Sequence, residues 1–102
     1  LIGERDWRSP VLVTPTVTTA WNVARADEVS LDNLAPLQSA PVPTELLVLG
    51  CGKRAIFIAP DKRAALRGAG LALEVVDTGS ACRIYNVLLA EGRRVAAALI
   101  PV

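Results

Sequence analysis

The stretch Val75 to Leu99, VVDTGSACRIYNVLLAEGRRVAAAL, decides how this chain folds. It opens on the apolar end of a strand. Asp77-Thr78 follows as a helix start, because an Asp carboxylate accepts the otherwise unpartnered N–H groups of a first helical turn. Thr78, Ala81, Cys82, Tyr85, Leu88 and Leu89 then recur at the spacing of one core-facing helical stripe, and Gly92 closes the helix. Arg94 to Ile100 reads as a central strand whose small residues admit a helix close against the sheet, and Pro101 ends it. The stretch is therefore a strand, helix, strand unit. The far side of its helix carries Ile84, Val87 and Ala90, with only Ser80, Arg83, Asn86 and Glu91 supplying polarity. A helix apolar almost all round predicts cover on both sides, from the fold itself or from a partner.

Working back towards the amino end, Leu71 to Val76 alternates, with Leu71, Leu73 and Val75 facing one way and Ala72, Glu74 and Val76 the other. Glu74 predicts a position near the sheet edge. Pro60-Asp61 opens a helix that runs through Leu66 and stops at Gly68 or Gly70, with Lys62, Arg63 and Arg67 as its solvated face and not a binding patch. Before it, Glu45 to Leu49 has the continuous apolar run of a buried, parallel strand. Gly50-Cys51-Gly52-Lys53 follows directly. Gly-x-Gly-Lys after a strand suggests a phosphate cradle, but the spacing is that of neither a P-loop nor a dinucleotide fingerprint, and Ala55-Ile56-Phe57-Ile58 does not begin a helix. The plainer reading is a tight strand exit with positive φ at one or both glycines.

Nearer the start, Leu1-Ile2 and Trp7 to Thr14 read as an N-terminal β-hairpin turned by the polar run Gly3 to Asp6. Pro10 should keep the beginning of the second strand off a fully hydrogen-bonded position. Val17, Thr19, Trp21 and Val23 alternate as a half-buried strand, with Trp21 as a core plug. Ser30 caps a stripe of Leu31, Leu34 and Leu37 that Pro36 should end or distort within about two turns. Pro36, Pro41 and Pro43 then form a stiff connector. The strands at Leu46, Leu71 and Val95 are expected in one sheet, joined by right-handed crossovers through the two intervening helices.

At 102 residues and 52% hydrophobic, the chain predicts one α/β domain over residues 1–102 with a single core. Eleven lysines and arginines nearly balance ten aspartates and glutamates, so no long-range field draws in nucleic acid, an acidic membrane or an acidic substrate. Two cysteines, no secretory signal and apolar runs far below the roughly 20 residues of a membrane span predict a soluble, cytoplasmic protein without membrane insertion. Because the sequence starts at Leu1 and contains no methionine, the natural amino terminus and any targeting segment on it are expected to lie outside it. Histidine is absent, which removes Ser-His and Cys-His pairs, imidazole zinc sites and the commonest general base near neutral pH. No metal or cofactor is expected.

Three motifs carry a family likeness: Leu49-Gly50-x-Gly52, Asp77-Thr78 through Ala81-Cys82-Arg83-x-Tyr85-Asn86, and Glu91-Gly92-Arg93-x-Val95-Ala96. From about Val11 on, the chain resembles a family of small α/β proteins, long labelled as of unknown function, that includes a mitochondrial respiratory complex I assembly factor and an adipogenesis-associated cytosolic protein. The family usually has threonine where this chain has Cys51 and again where it has Ile84. The resemblance implies a mixed, mostly parallel sheet flanked by helices, no established enzymatic activity, an assembly-type role, and a mitochondrial location if the source is eukaryotic.

Two functional readings follow, and a third is weaker. The first is a non-enzymatic binding or assembly module that engages a protein partner or a second copy of itself. It rests on the missing histidine and the nearly all-round apolar helix. The second is a site for a small anionic ligand, or an enzyme site, in the crevice between the Gly50 to Gly52 loop and the Thr78 helix start, where open α/β sheets bind ligands and a helix start offers N–H groups. In both, Gly50, Gly52, Thr78, Arg83 and Asn86 are the candidate binding residues, none of them expected to be required for packing, and Tyr85 fixes the helix from below. The structural alternative has Asp77 as N-cap with Thr78 and Asn86 holding loop backbone. The third reading pairs Cys51 with Cys82 as a redox couple. It fits poorly because the spacing is not Cys-x-x-Cys and Cys82 falls on the core-facing stripe.

Overall fold

The computed structural model describes residues 9–15, 18–38 and 44–101. The strands are β1 (Val11–Val13), β2 (Thr18–Ala20), β3 (Leu46–Gly50), β4 (Ala72–Val76) and β5 (Val95–Leu99), and they form one mixed sheet in the order β2-β1-β5-β3-β4. The β4-β3-β5 portion is parallel, and β1 joins β5 and β2 antiparallel. The helices are α1 (Ala35–Gln38), α2 (Pro60–Gly68) and α3 (Thr78–Ala90), and two 3-10 turns precede α1 at Ala26–Glu28 and Asp32–Leu34.

The three strands expected in one sheet are there, and Glu74 sits exposed on the edge strand β4, where a charge discourages pairing with another chain. Every residue of β5 is buried. Its alternation divides two cores. Ala96 and Ala98 face the layer that holds Leu12, Trp21, Val29, Leu34, Leu37, Leu47, Leu49 and Leu66. Val95, Ala97 and Leu99 face Val48, Ala81 and Tyr85 under α3. The helix after β3 thus lies on one face and the helix after β4 on the other. Two crossovers of the same hand require this arrangement when the second runs back past the first strand.

The amino-terminal third holds the expected N-terminal hairpin, made by β1 and β2, which lie within the expected strands over 7–14 and 17–23. The expected strand at Leu1-Ile2 lies outside the described residues, and the hairpin seen pairs Val11 with Ala20 and Val13 with Thr18. β1 is hydrogen-bonded on both sides, and Pro10 stands just before it, its carbonyl accepting the Trp21 N–H at 2.9 Å. Trp21 is the expected core plug at 2% exposure, but it follows β2 instead of belonging to it, and its indole N–H donates to Asn33 Oδ1 at 3.1 Å. The stripe over 31–37 is the short, distorted helix expected, a 3-10 turn at Asp32–Leu34 followed by the four-residue α1, with Pro36 in the first turn of α1, where the N–H a proline lacks is left unused. The connector at Pro41 and Pro43 lies outside the described residues.

α2 starts with Pro60 at its first position and ends before Gly70, which has φ +87°. Lys62 is not purely solvated as expected. It is half-buried and donates to the Asp27 carbonyl, tying α2 to the 3-10 turn. On α3 the outer stripe lacks the expected cover within the described chain: Val87 is 57% exposed and Ala90 is also exposed.

Candidate functional site

β3 and β4 are parallel neighbours whose connections leave towards opposite faces, so their carboxyl ends lie at the kind of reversal where open α/β sheets bind ligands. Gly50 ends β3, and Thr78 opens α3 directly beside it. A Cβ built on Gly50 would lie 2.9 Å from the Thr78 Cα and 3.0 Å from both Thr78 Oγ1 and Leu99 Cδ2. Gly50 is therefore required for packing, contrary to expectation, because the helix start rests on the bare strand. Only Gly52 of the two loop glycines has positive φ, at +98°.

Thr78 holds this edge together. Its Oγ1 accepts the Gly52 N–H at 2.8 Å and donates to the Ile100 carbonyl at 2.7 Å, while its own N–H donates to the Gly52 carbonyl at 2.9 Å. At 3% exposure it is the one buried polar side chain among the described residues, and a hydroxyl bonded in both directions is what makes that burial tolerable. The loop after β3, the start of α3 and the end of β5 are thereby one hydrogen-bonded unit. Cys51 adds its N–H to the Val76 carbonyl, and Ile100 its N–H to the Gly50 carbonyl, both at 2.9 Å.

Asp77 is the N-cap. Its Oδ1 accepts the Ser80 hydroxyl at 2.6 Å and its Oδ2 the Ser80 N–H at 3.0 Å. These two bonds, the hydroxyl first, hold its carboxyl below the usual range, and Arg83 contributes less. Arg83 is exposed and reaches back along the helix, its Nη2 donating to Ser80 Oγ at 3.0 Å. The N–H groups of Thr78, Ser80 and Ala81 are all donated within the fold, so the helix start does not offer them to a ligand as expected.

The structure thus brings Gly50, Gly52, Thr78 and, through Ser80, Arg83 to one edge. Asn86 is not brought there: it sits half-buried on the flank of α3, roughly 12 Å further along the axis than Thr78 at 1.5 Å per residue. Tyr85 is buried beneath α3 among Val48, Val95, Ala97 and Leu99. Cys51 and Cys82 are both free thiols whose pKa values burial raises, the opposite of the lowered value a redox nucleophile needs. Among the described residues no group of three His, Cys, Asp or Glu side chains could hold a metal ion.

Sequence reasoning missed two things here. Ser80 proves to be the hub between Asp77 and Arg83, which an Asp-x-x-Ser spacing at a helix start signals. Phe57, in the loop after Gly52, is 80% exposed. The alternation Ile56-Phe57-Ile58 carried that signal, since Ile58 is buried and Ile56 half-buried on the opposite side.

A family model described as "Protein of unknown function (DUF498/DUF598)" matches residues 1–100. A Xenopus tropicalis protein named NADH dehydrogenase [ubiquinone] 1 alpha subcomplex assembly factor 3 is 37% identical over 92 residues, 90% of this chain and 50% of its own length. The chain spans about half the length of the curated assembly-factor relatives it matches. A crystal structure of a Bordetella parapertussis protein superposes with a TM-score of 0.80 at 32% identity, covering 92% of this chain and 80% of that one. The solution structure of a Bordetella pertussis protein described as a Mth938-like domain gives 0.75 at 28% identity, covering 91% and 73%.

Proposed function

This chain belongs to the DUF498/DUF598 family, and we propose that it is a non-enzymatic accessory protein of the assembly type, recognising a protein partner through the edge built around Gly50, Gly52, Thr78 and Arg83. The observation that carries this reading is that the polar groups a catalytic crevice would need are engaged in holding the edge rigid. Thr78 is bonded in both directions and Asp77 is committed to Ser80. Gly50, Gly52 and Thr78 are themselves buried and hold the edge in shape, while Arg83, held by Ser80, and Lys53 and Arg54 of the loop are exposed. Such pre-organised surfaces suit recognition, because little conformational freedom is lost on binding. The relatives named as complex I assembly factors support an accessory role of this kind. The compartment that goes with it is the mitochondrion in a eukaryotic source and the cytoplasm in a prokaryotic one. The alternative, a small anionic ligand or an enzyme site in the crevice, has no specific observation in its favour, since three N–H groups of the helix start are already donated.

The test pairs thermal melts with affinity capture from lysate of the source cells. Arg83→Ala should melt within about 0.5 kcal/mol of wild type, as exposed substitutions do, and lose captured partners. Tyr85→Ala, the structural control, should be destabilised by about 3–5 kcal/mol. An Arg83→Ala protein that retains every wild-type partner would overturn the assignment.

A further inference from the structure

We propose that Phe57 is the anchor of a protein-docking surface, flanked by Lys53 and Arg54, whose occupant is an acidic segment of the partner carrying apolar side chains. This rests on the reading of the carboxyl edge as the working surface and names the chemistry of what binds there.

Phe57 belongs to the loop between β3 and α2 that begins at the Gly52 turn. Of the aromatic residues described, Trp21 and Tyr85 are buried at 2% and 1% exposure, while Phe57 is 80% exposed. It is not loosely presented. Ile58 on one side is buried and Ile56 on the other packs against the core, so both neighbours pin the loop and the residue between them must face out. An aromatic side chain carried on backbone held in this way offers large contact area with little loop ordering required on binding, which is the character of an interface anchor.

The surroundings set the sign of the partner. From Lys53 to Arg67 the sequence carries Lys53, Arg54, Lys62, Arg63 and Arg67 against the single acid Asp61, and with Lys62 and Arg63 donating to the Asp27 and Leu73 carbonyls, Lys53 and Arg54 are the cations of the loop itself. Lys53 and Arg54 are exposed, and neither has an ion-pair or hydrogen-bond partner among the described residues. Four and three residues before Phe57 in the same loop, these exposed cations complement carboxylates at the rim of a contact. An anionic membrane is the less favoured occupant: one aromatic and two adjacent cations fall short of the two signals that stable membrane anchoring takes, and the same edge carries Asp77.

The test places a photoreactive benzoylphenylalanine at position 57 of the full chain in its source cells and sequences the cross-linked products by mass spectrometry. The expected products are peptides from net-acidic protein segments with apolar residues, their yield falling at least about tenfold when Lys53→Glu and Arg54→Glu are added, while the melting temperature holds. Cross-links chiefly to lipid, to basic or uncharged segments, to a second copy of this chain, or to nothing would overturn the proposal, as would a yield indifferent to the charge reversal. If Arg83→Ala loses partners while position 57 gives no such cross-links, the edge still binds and only the anchor fails. Charge-dependent cross-links together with an Arg83→Ala protein that keeps its partners would instead retain the anchor and remove Arg83 from the edge.

Discussion

Replacing Thr78 by valine removes the hydroxyl that joins three segments while keeping the shape and β-branching of the side chain. The Gly52 amide, buried with its residue, then loses its acceptor, which costs about 1–3 kcal/mol for an unsatisfied buried donor. The Ile100 carbonyl belongs to a half-buried residue that water reaches in part, so its loss is nearer the ordinary net value of about 0.5–1.5 kcal/mol. Together Thr78→Val should cost about 2–4 kcal/mol, a fall of roughly 10–25 °C in melting temperature for a domain of this size. Thr78→Ser keeps both hydrogen bonds and loses one buried methyl, about 1 kcal/mol. The expected order, wild type above serine above valine, inverts the order that side-chain shape alone would give. Thermal and urea melts of the three proteins, with hydrogen exchange at the Gly52 amide, measure it. A valine variant that equals or exceeds the serine variant would refute the claim that this hydroxyl holds the edge.

Gly50→Ala should be destabilised by about 1–3 kcal/mol, because the new methyl meets helix backbone that cannot rotate away, whereas Gly68→Ala, with nothing within 4 Å, should gain up to about 1 kcal/mol. Equal melting temperatures for the two variants would contradict the tight approach of α3 to β3. Asp77 has a folded pKa below its unfolded value, so its stabilisation is fully present above about pH 4 and is lost as pH falls through the lowered folded pKa. The gap in melting temperature between wild type and Asp77→Asn should therefore shrink on acidification from pH 5 to pH 2, and a gap constant over that range would count against the cap. Both thiols should react slowly with a bulky maleimide at neutral pH and quickly once the chain is unfolded, because burial raises their pKa values. Rapid native labelling of Cys82 would contradict its place against the core under α3.

The segment from Leu46 onward was legible because its signals are long and agree with one another. Leu47 to Leu49 is continuously apolar, Asp77 caps, Tyr85 and Ala81 share a helical face, and glycines close both long helices. The first third was not. β1 and β2 have three residues each, too short for a period to show, and the chain from Ala26 to Gln38 passes through 3-10 turns that leave no 3.6-residue pattern. At the edge, the glycines and the helix start could be read, but not the role of Thr78, whose partner Ile100 lies 22 residues away and is brought alongside only because β5 is the neighbour of β3. The overall charge balance likewise hid the local excess of cations between Lys53 and Arg67, since most carboxylates lie elsewhere in the sequence.

Among the described residues, β5 follows the other four strands in sequence yet lies in the middle of the sheet, paired with β1 through Val11 and Leu99 and with β3 through Leu46 and Val95. Without β5, the β1-β2 ribbon and the β3-β4 pair share no hydrogen-bonded ladder, and each leaves a flank without a strand partner. Their union takes one apolar segment between them, whose pairing with β1 closes a loop of most of the chain. β5 is therefore the strand whose removal would divide the sheet, leaving the flanks of β1 and β3 open to pairing with other chains.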